Sequence, residues 1–224
     1  MRKIKAKIAE IFKSIQGEGI YQGLTQVFLR FYGCNLNCKF CDTHLDFYQE
    51  MTVEEVIEKI FSFDNYHSIS LTGGEPLIQV DFLKELLFFL KEKKKIIYLE
   101  TNGILFDSLK DIVDFLDIIA MDFKLPSSTG QRNFWDEHKR FLEIASKKEV
   151  FVKAVVGKTT KIEDILISIE IIKKIAPNIF FVLQPQYPFR DVLEGKLKQY
   201  QKICREEGIK SRVISQLHKV LGIK

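Results

Sequence analysis

Short apolar segments alternate with amphipathic ones from residue 27 almost to the end of the chain, and this alternation restricts the fold more than any other feature. Strands are predicted over 27–31, 68–71, 96–100, 118–123, 150–156 and 179–183, with a candidate last strand at 210–214. Helices are predicted over 52–61, 81–93, 107–116, 133–146, 162–175 and 192–207. Thr52 with Glu55 three residues on forms a capping box for the first helix. Asp81 is expected to cap the second, while Pro177 and Gly208 stop the last two. Short apolar strands that alternate with helices pair in parallel, with both faces covered. About six such units in 224 residues fit an α/β fold, a partial TIM-like barrel, as a single domain over 1–224. No Pro-, Gly- or Ser-rich linker interrupts the pattern.

The charge balance excludes little but is useful. Lys plus Arg is 34 and Asp plus Glu is 30, a net +4, too weak and too scattered to imply direct nucleic-acid binding. The densest basic run, 91–95, reads as a solvated helix end. The N-terminus is basic but lacks the apolar stretch of a signal peptide, and no run is long enough to span a membrane. A cytoplasmic location is expected, where thiols stay reduced.

Three of the four cysteines, Cys34, Cys38 and Cys41, fall in one short window. Three thiols this close cannot pair off as disulfides, but they can wrap one metal centre. A structural zinc site prefers two pairs of ligands, although His44 could complete a closed site. A 4Fe-4S cluster held by three thiolates leaves one iron without a protein ligand, free to bind a small molecule. Cys204 stands alone on a predicted helix as a small apolar residue. The three-then-two spacing is similar to that of radical S-adenosylmethionine enzymes, whose open iron chelates the cofactor's methionine.

The polar motifs cluster in a second way. Residues 72–76 (Thr-Gly-Gly-Glu-Pro), 100–103 (Glu-Thr-Asn-Gly), 122–124 (Asp-Phe-Lys) and 184–186 (Gln-Pro-Gln) each follow or close a predicted strand, and Lys153 lies within one. Any one of these is explained as a turn. Five on the carboxyl rim of a parallel barrel, together with the thiol cluster, argue for an enzyme. Gly73 and Gly74 permit positive φ and close approach of the backbone to a ligand. Glu75 can receive an ammonium, Asn102 can reach a ribose hydroxyl and Lys124 can bind a carboxylate.

At this level of detail the chain resembles the 7-carboxy-7-deazaguanine synthases, radical S-adenosylmethionine enzymes of the deazapurine route to queuosine and archaeosine. The resemblance is carried by residues 11–19 (Ile-Phe-Lys-Ser-Ile-Gln-Gly-Glu-Gly), 40–43 (Phe-Cys-Asp-Thr) and 216–219 (Gln-Leu-His-Lys), with the Thr-Gly-Gly-Glu-Pro stretch. It implies contraction of 6-carboxy-5,6,7,8-tetrahydropterin to 7-carboxy-7-deazaguanine with loss of ammonia. It further implies a 4Fe-4S cluster on Cys34, Cys38 and Cys41, and Mg2+ with Thr43 as protein ligand. S-adenosylmethionine would be held by Phe40, Asp42, Gly74, Glu75, Asn102, Lys124, Ser127 and Gln184. The pterin would be held by Ile15, Gln16, Gly17, Arg30 and Thr72, with the carboxylate of Lys224 turned into the site. An electron donor such as flavodoxin or ferredoxin and a homodimer are expected from the same resemblance. Two other readings stay open: an activating enzyme of a glycyl-radical protein, and a non-enzymatic zinc module for nucleic acid.

Overall fold

The computed structural model describes residues 3–41, 43 and 45–223, so Asp42, His44 and Lys224 lie outside the described residues. The strands are β1 (Lys5–Ile15), β2 (Thr25–Phe31), β3 (Gln49–Thr52), β4 (Ser68–Gly73), β5 (Ile97–Thr101), β6 (Ile118–Asp122), β7 (Glu149–Val156), β8 (Phe181–Pro185) and β9 (Ser211–Val213). The helices are α1 (Val53–Phe61), α2 (Val80–Glu92), α3 (Phe106–Ile112), α4 (Pro126–Thr129), α5 (Trp135–Ala145), α6 (Ile162–Ile175), α7 (Glu194–Glu206) and α8 (Leu217–Leu221). Among the described residues the strands form one sheet in the order β3-β1-β2-β4-β5-β6-β7-β8-β9, which does not close on itself. From β2 to β9 every pairing is parallel, and the six crossovers carry the helices. This is the expected partial barrel, with the candidate strand at 210–214 realised as its last member.

Local sequence chemistry sets some boundaries and not others. Thr52 Oγ1 accepts from the Glu55 amide and Glu55 Oε2 from the Thr52 amide, so the capping box starts α1 as expected. Asp81 does not cap α2. A 3-10 turn over Pro76–Gln79 leads straight into the helix, so Asp81 falls in its first turn and pairs with Lys84 instead. The single helix expected over 107–116 divides into α3 and a 3-10 turn over Val113–Phe115.

The antiparallel edge formed by β1 and β3 was not expected. β1 alternates buried and exposed side chains only over its first residues. A bulge between Ile8 and Glu10 then shifts its register against β2 and breaks the period-two signal.

The two faces of the sheet have different interiors. On the outer face, Ile69 and Leu71, Leu99, Ile119 and Met121, Val152 and Leu183 pack with the helices in the main core. Alternate residues point the other way. There Tyr98, Ile118, Ala120, Phe151 and Val182 form a second apolar cluster, joined by Ile20 and Tyr21 from the β1–β2 loop. Two residues further along β5, β6, β7 and β8 stand Glu100, Asp122, Lys153 and Gln184. The inner face is therefore a cup with an apolar floor and a polar rim at the carboxyl ends of the strands.

Candidate active site

The cysteine loop leaves the carboxyl end of β2 and is tied to the rim at three points. Asn102 Nδ2 donates to Asn35 Oδ1 at 2.7 Å, Gln131 Nε2 donates to the Asn37 carbonyl at 2.8 Å, and the Lys39 amide donates to the Thr129 carbonyl at 3.1 Å. At its start, the loop lies against the Gly-Gly turn after β4. The Gly74 amide bonds Phe31 O and the Glu75 amide bonds Gly33 O. A Cβ on Gly74 would lie 1.8 Å from the Gly33 carbonyl oxygen, and Gly73 sits at φ +133° against Phe31. The glycines are thus required by the backbone that enters the cysteine loop.

Glu75, expected against the cofactor's ammonium, is fully buried with its carboxylate already engaged. It accepts from the Leu77 amide, from Thr101 Oγ1 at 2.9 Å and from the Asn102 amide at 2.8 Å. Burial pushes this carboxyl up to about 7, against three donors that favour the charged form. Its visible role is to join the β4 and β5 rims. Asn102 continues the link to Asn35 rather than standing free. His138 closes it from behind: fully buried, stacked on Phe123 at 4.8 Å, with Nε2 3.2 Å from the Asn102 carbonyl. Burial lowers its pKa to about 4, so the ring is neutral.

The cup holds a second constellation. Glu100 accepts from Thr72 Oγ1 at 2.7 Å and from Gln16 Nε2 at 2.7 Å, and Gln16 Nε2 also reaches Gln26 Oε1 at 2.9 Å. The Gln16 amide is therefore occupied within the protein, and the Gln16 and Gly17 carbonyls accept from Gly23 and Leu217. Ile15 pairs with Thr25 in the β1–β2 ladder. Arg30 pairs across the ladder with Glu10, its Nε 3.2 Å from Glu10 Oε2 but off the line of a hydrogen bond, so this buried N–H lacks an acceptor. Lys124 does not point to water; it lies 2.8 Å from Asp122 Oδ2 and 5.9 Å from the centroid of the Phe40 ring. Lys153 bonds Glu18 Oε2, and Gln216 Nε2 donates to Glu18 Oε1 at 2.7 Å. Burial raises the Glu18 carboxyl, but Lys153, Gln216 and His218 together bring the group down to about 2.

The other expected cofactor residues separate. Ser127 is taken up by Asp164, to which both its hydroxyl and its amide donate. Gln184 is buried at the end of β8 and its Oε1 has no partner. Asp122 Oδ1 is likewise buried and unpartnered. Thr43 is half-buried, its carbonyl 3.8 Å from Cys41 Sγ. Glu18, Glu100, Asp122 and Lys153 belong to the site by geometry although no role was assigned to them. For Glu100, Asp122 and Lys153 the signal is the two-residue step from a floor residue to its polar neighbour; Glu18 in the β1–β2 loop has no such signal.

The donor set fits an iron-sulfur cluster. Cys34, Cys38 and Cys41 are free thiols in one partly exposed loop. Burial raises the Cys34 and Cys38 thiols, and each would be raised further by a charged Cys41, so three thiolates here need a cationic centre. Among the described residues no three His, Cys, Asp or Glu side chains stand at metal-holding separation. The orphaned Gln184 and Asp122 oxygens fit a cofactor that brings hydrogen-bond donors to the rim.

Comparison with known proteins defines the class first. The Radical SAM superfamily model matches residues 29–194, from the middle of β2 to the start of α7. The crystal structure of QueE from Escherichia coli has the same fold, at a TM-score of 0.69 and 20% identity over 96% of this chain and 95% of that one. Streptococcus suis SuiB bound to S-adenosylmethionine aligns at a TM-score of 0.59 and 17% identity, over 81% of this chain and 44% of SuiB. Among curated relatives, the 7-carboxy-7-deazaguanine synthase of Geobacter sulfurreducens is 36% identical over 99% of both chains. That of Archaeoglobus fulgidus is 33% identical over 99% of this chain and 100% of its own. The chain belongs to the 7-carboxy-7-deazaguanine synthase family.

Proposed function

We propose that the chain converts 6-carboxy-5,6,7,8-tetrahydropterin to 7-carboxy-7-deazaguanine with loss of ammonia, in 7-deazapurine biosynthesis. One observation carries the assignment of the substrate to the cup. The unsatisfied Arg30 Nε–H and the Thr72–Glu100 pair lie on adjacent strands of the inner face, next to the cysteine loop. A pterin carries a carboxylate at one end and a row of N–H donors at the other, and these features are complementary to a cation and acceptors on neighbouring strands.

Cys34, Cys38 and Cys41 hold the cluster, and Thr43 supplies an oxygen to Mg2+, whose other ligands come from outside the protein. When bound, the cluster and S-adenosylmethionine supply the one-electron chemistry that removes a hydrogen atom from the substrate. Gln184 Oε1 and the Lys124–Phe40 pair line the cofactor side. Arg30 receives the substrate carboxylate as a charge-assisted fork. Thr72 already gives its proton to Glu100, so its oxygen is left as an acceptor. Glu100 accepts from the pterin edge in a cup whose floor of Tyr98, Phe151 and Val182 excludes water. An external one-electron donor such as flavodoxin or ferredoxin, a homodimer and a cytoplasmic setting complete this reading. No helix among the described residues is long and apolar enough to cross a membrane.

The decisive experiment is anaerobic incubation with dithionite, S-adenosylmethionine, Mg2+ and the carboxypterin, with the product identified by mass. Formation of the carboxydeazaguanine supports the assignment. Cofactor cleavage that proceeds only with a glycyl-radical protein partner, and leaves the pterin untouched, rejects it.

A further inference from the structure

Lys153 has no part in the chemistry above, yet its position is heavily determined. It stands on the inner face of β7, its side chain only 15% exposed, one step above the floor residue Phe151. Its ammonium bonds Glu18 Oε2 and lies 3.6 Å from Asp122 Oδ2. Asp122 Oδ2 lies 2.8 Å from Lys124, and Glu18 Oε1 accepts from Gln216. The polar contacts therefore run unbroken from Gln216 through Glu18, Lys153 and Asp122 to Lys124. They link the chain's C-terminal segment to the rim of the cysteine loop.

Stability does not explain a lysine here. A buried ion pair gains little over apolar packing of the same volume. With Tyr98 and Phe151 directly below, an apolar side chain at 153 would extend an existing cluster. What the ammonium does accomplish is electrostatic. Without it, Glu18 loses its ammonium partner and Asp122 keeps Lys124 alone, with Glu100 close by on β5. The C-terminal segment depends on the same point. Gln216 binds Glu18, the Leu217 amide donates to the Gly17 carbonyl at 2.8 Å, and the His218 ring covers Gly17 so closely that a Cβ there would lie 2.0 Å from Nδ1.

We propose that Lys153 is a positioning residue that holds the Glu18 carboxylate aimed into the cup and, through Glu18, keeps the segment 216–218 closed over the substrate. The proposal rests on the pterin lying in the cup. The groups that act on Glu18 are Lys153 from β7 and Gln216 and His218 from the C-terminal segment; from β5, Tyr98 feels the Glu18 charge and Glu100 bears on Lys153. Burial raises Glu18, and Lys153 leads the contacts that together reverse this, followed by Gln216 and His218.

The test compares Lys153→Met and Lys153→Arg with the wild type. In the Met variant the KM for the pterin should rise about tenfold between pH 8 and pH 6, as Glu18 takes up a proton. Wild type should show no such rise, and Lys153→Arg should restore its flat profile. A lysine that served only the fold would lower the melting temperature or kcat without this pH dependence. A second readout needs no pterin: hydrogen exchange at the Leu217 amide should accelerate about tenfold in Lys153→Met. A wild type that turns over no pterin would remove the functional assignment while the exchange measurement still judged Lys153. If Lys153→Met fails to fold, Glu18→Gln/Lys153→Met should fold, because the unpaired carboxylate is gone. An unshifted pH profile, an unchanged Leu217 exchange rate, or a double variant no more stable than Lys153→Met would overturn the proposal.

Discussion

The two halves of the cup are assembled by different means. On the cofactor half, the cysteine loop meets the Gly-Gly turn through backbone amides and carbonyls, with glycines where the chains touch, and the Glu75 carboxylate and the Asn102 side chain carry the contact on to the β5 rim. On the substrate half, the Gln16–Glu18 segment is held across the cup by side chains: Glu18 by Lys153 and Gln216, and Gln16 by Glu100 and Gln26. Backbone-built contact tolerates almost no added volume. Side-chain-built contact tolerates volume but depends on charge. The cofactor half suits chemistry common to a superfamily, and the substrate half suits recognition that can change residue by residue.

The most severe break should come from the first half. Gly74→Ala places a methyl 1.8 Å from the Gly33 carbonyl oxygen, and this contact is backbone on both sides, so neither can yield by a rotamer change. We expect a loss of about 4 kcal/mol or more, near the whole stability of many domains. Urea unfolding and iron content of the purified variant would check it. Stability within 1 kcal/mol of wild type, taking about that as the ordinary surface scale, would show that the two loops do not meet so closely.

The cysteines sharpen the contrast. Cys34→Ala, Cys38→Ala and Cys41→Ala should each abolish cluster incorporation, because each removes one of the three proposed ligands from a single partly exposed loop. Cys204→Ala should keep its iron, since this thiol is buried in α7 against the main core and burial pushes its pKa up to about 11. Iron and sulfide analysis after anaerobic reconstitution decides it. A Cys204→Ala protein without iron would contradict the three-ligand loop.

The pH response should differ in sign between the halves. Glu75 is raised to about 7 in the folded protein, so its contribution is fully present below the ordinary carboxylate range and is lost as pH rises through 7. The shift corresponds to about 3 kcal/mol. Glu18 is held near 2, so its contribution is present above the ordinary range and is lost as pH falls toward 2. Unfolding free energies of the metal-free protein from pH 4 to 9 should therefore decline between about pH 4.5 and 7 in wild type, level off above that, and lose this decline in Glu75→Gln. Glu18→Gln should leave the decline in place. Equal slopes between pH 4.5 and 7 in wild type and Glu75→Gln would remove the burial argument for Glu75.

The same contrast decides what could be read in the sequence. Cofactor-half signals are local: three cysteines in eight residues and a Gly-Gly-Glu-Pro turn. Each strand-helix unit also announced itself by its own periodicity. The substrate half is assembled from distant residues. Lys153 meets Glu18 across 135 positions, and Gln216 meets Glu18 across 198. No local pattern encodes such pairs. β1 was hidden for a related reason, because its bulge erases the alternation by which strands are recognised. The roles of Glu75 and Ser127 were obscured because a motif residue that binds its own protein looks the same in sequence as one that waits for a ligand.

The smallest effect belongs to Arg30, and it separates the halves most cleanly. Its Nε–H is buried without an acceptor, its guanidinium lies 5.6 Å over the Phe12 ring, and Glu10 beside it offers charge but poor hydrogen-bond geometry. A substrate carboxylate would supply the missing acceptor. Removal of a charge-assisted bond of this kind weakens binding by about 1.5–3 kcal/mol, or roughly 10- to 100-fold. Arg30→Ala should raise the KM for the pterin by that factor. It should leave iron content unchanged and slow uncoupled cleavage of S-adenosylmethionine far less, because Arg30 makes no contact with the Asn35, Asn37 and Lys39 anchors of the cysteine loop. Lys at this position keeps the charge but not the fork, so Arg30→Lys should fall between the two. An Arg30→Ala protein that loses its cluster while binding pterin normally would place Arg30 on the cofactor side and dissolve the division between the two halves.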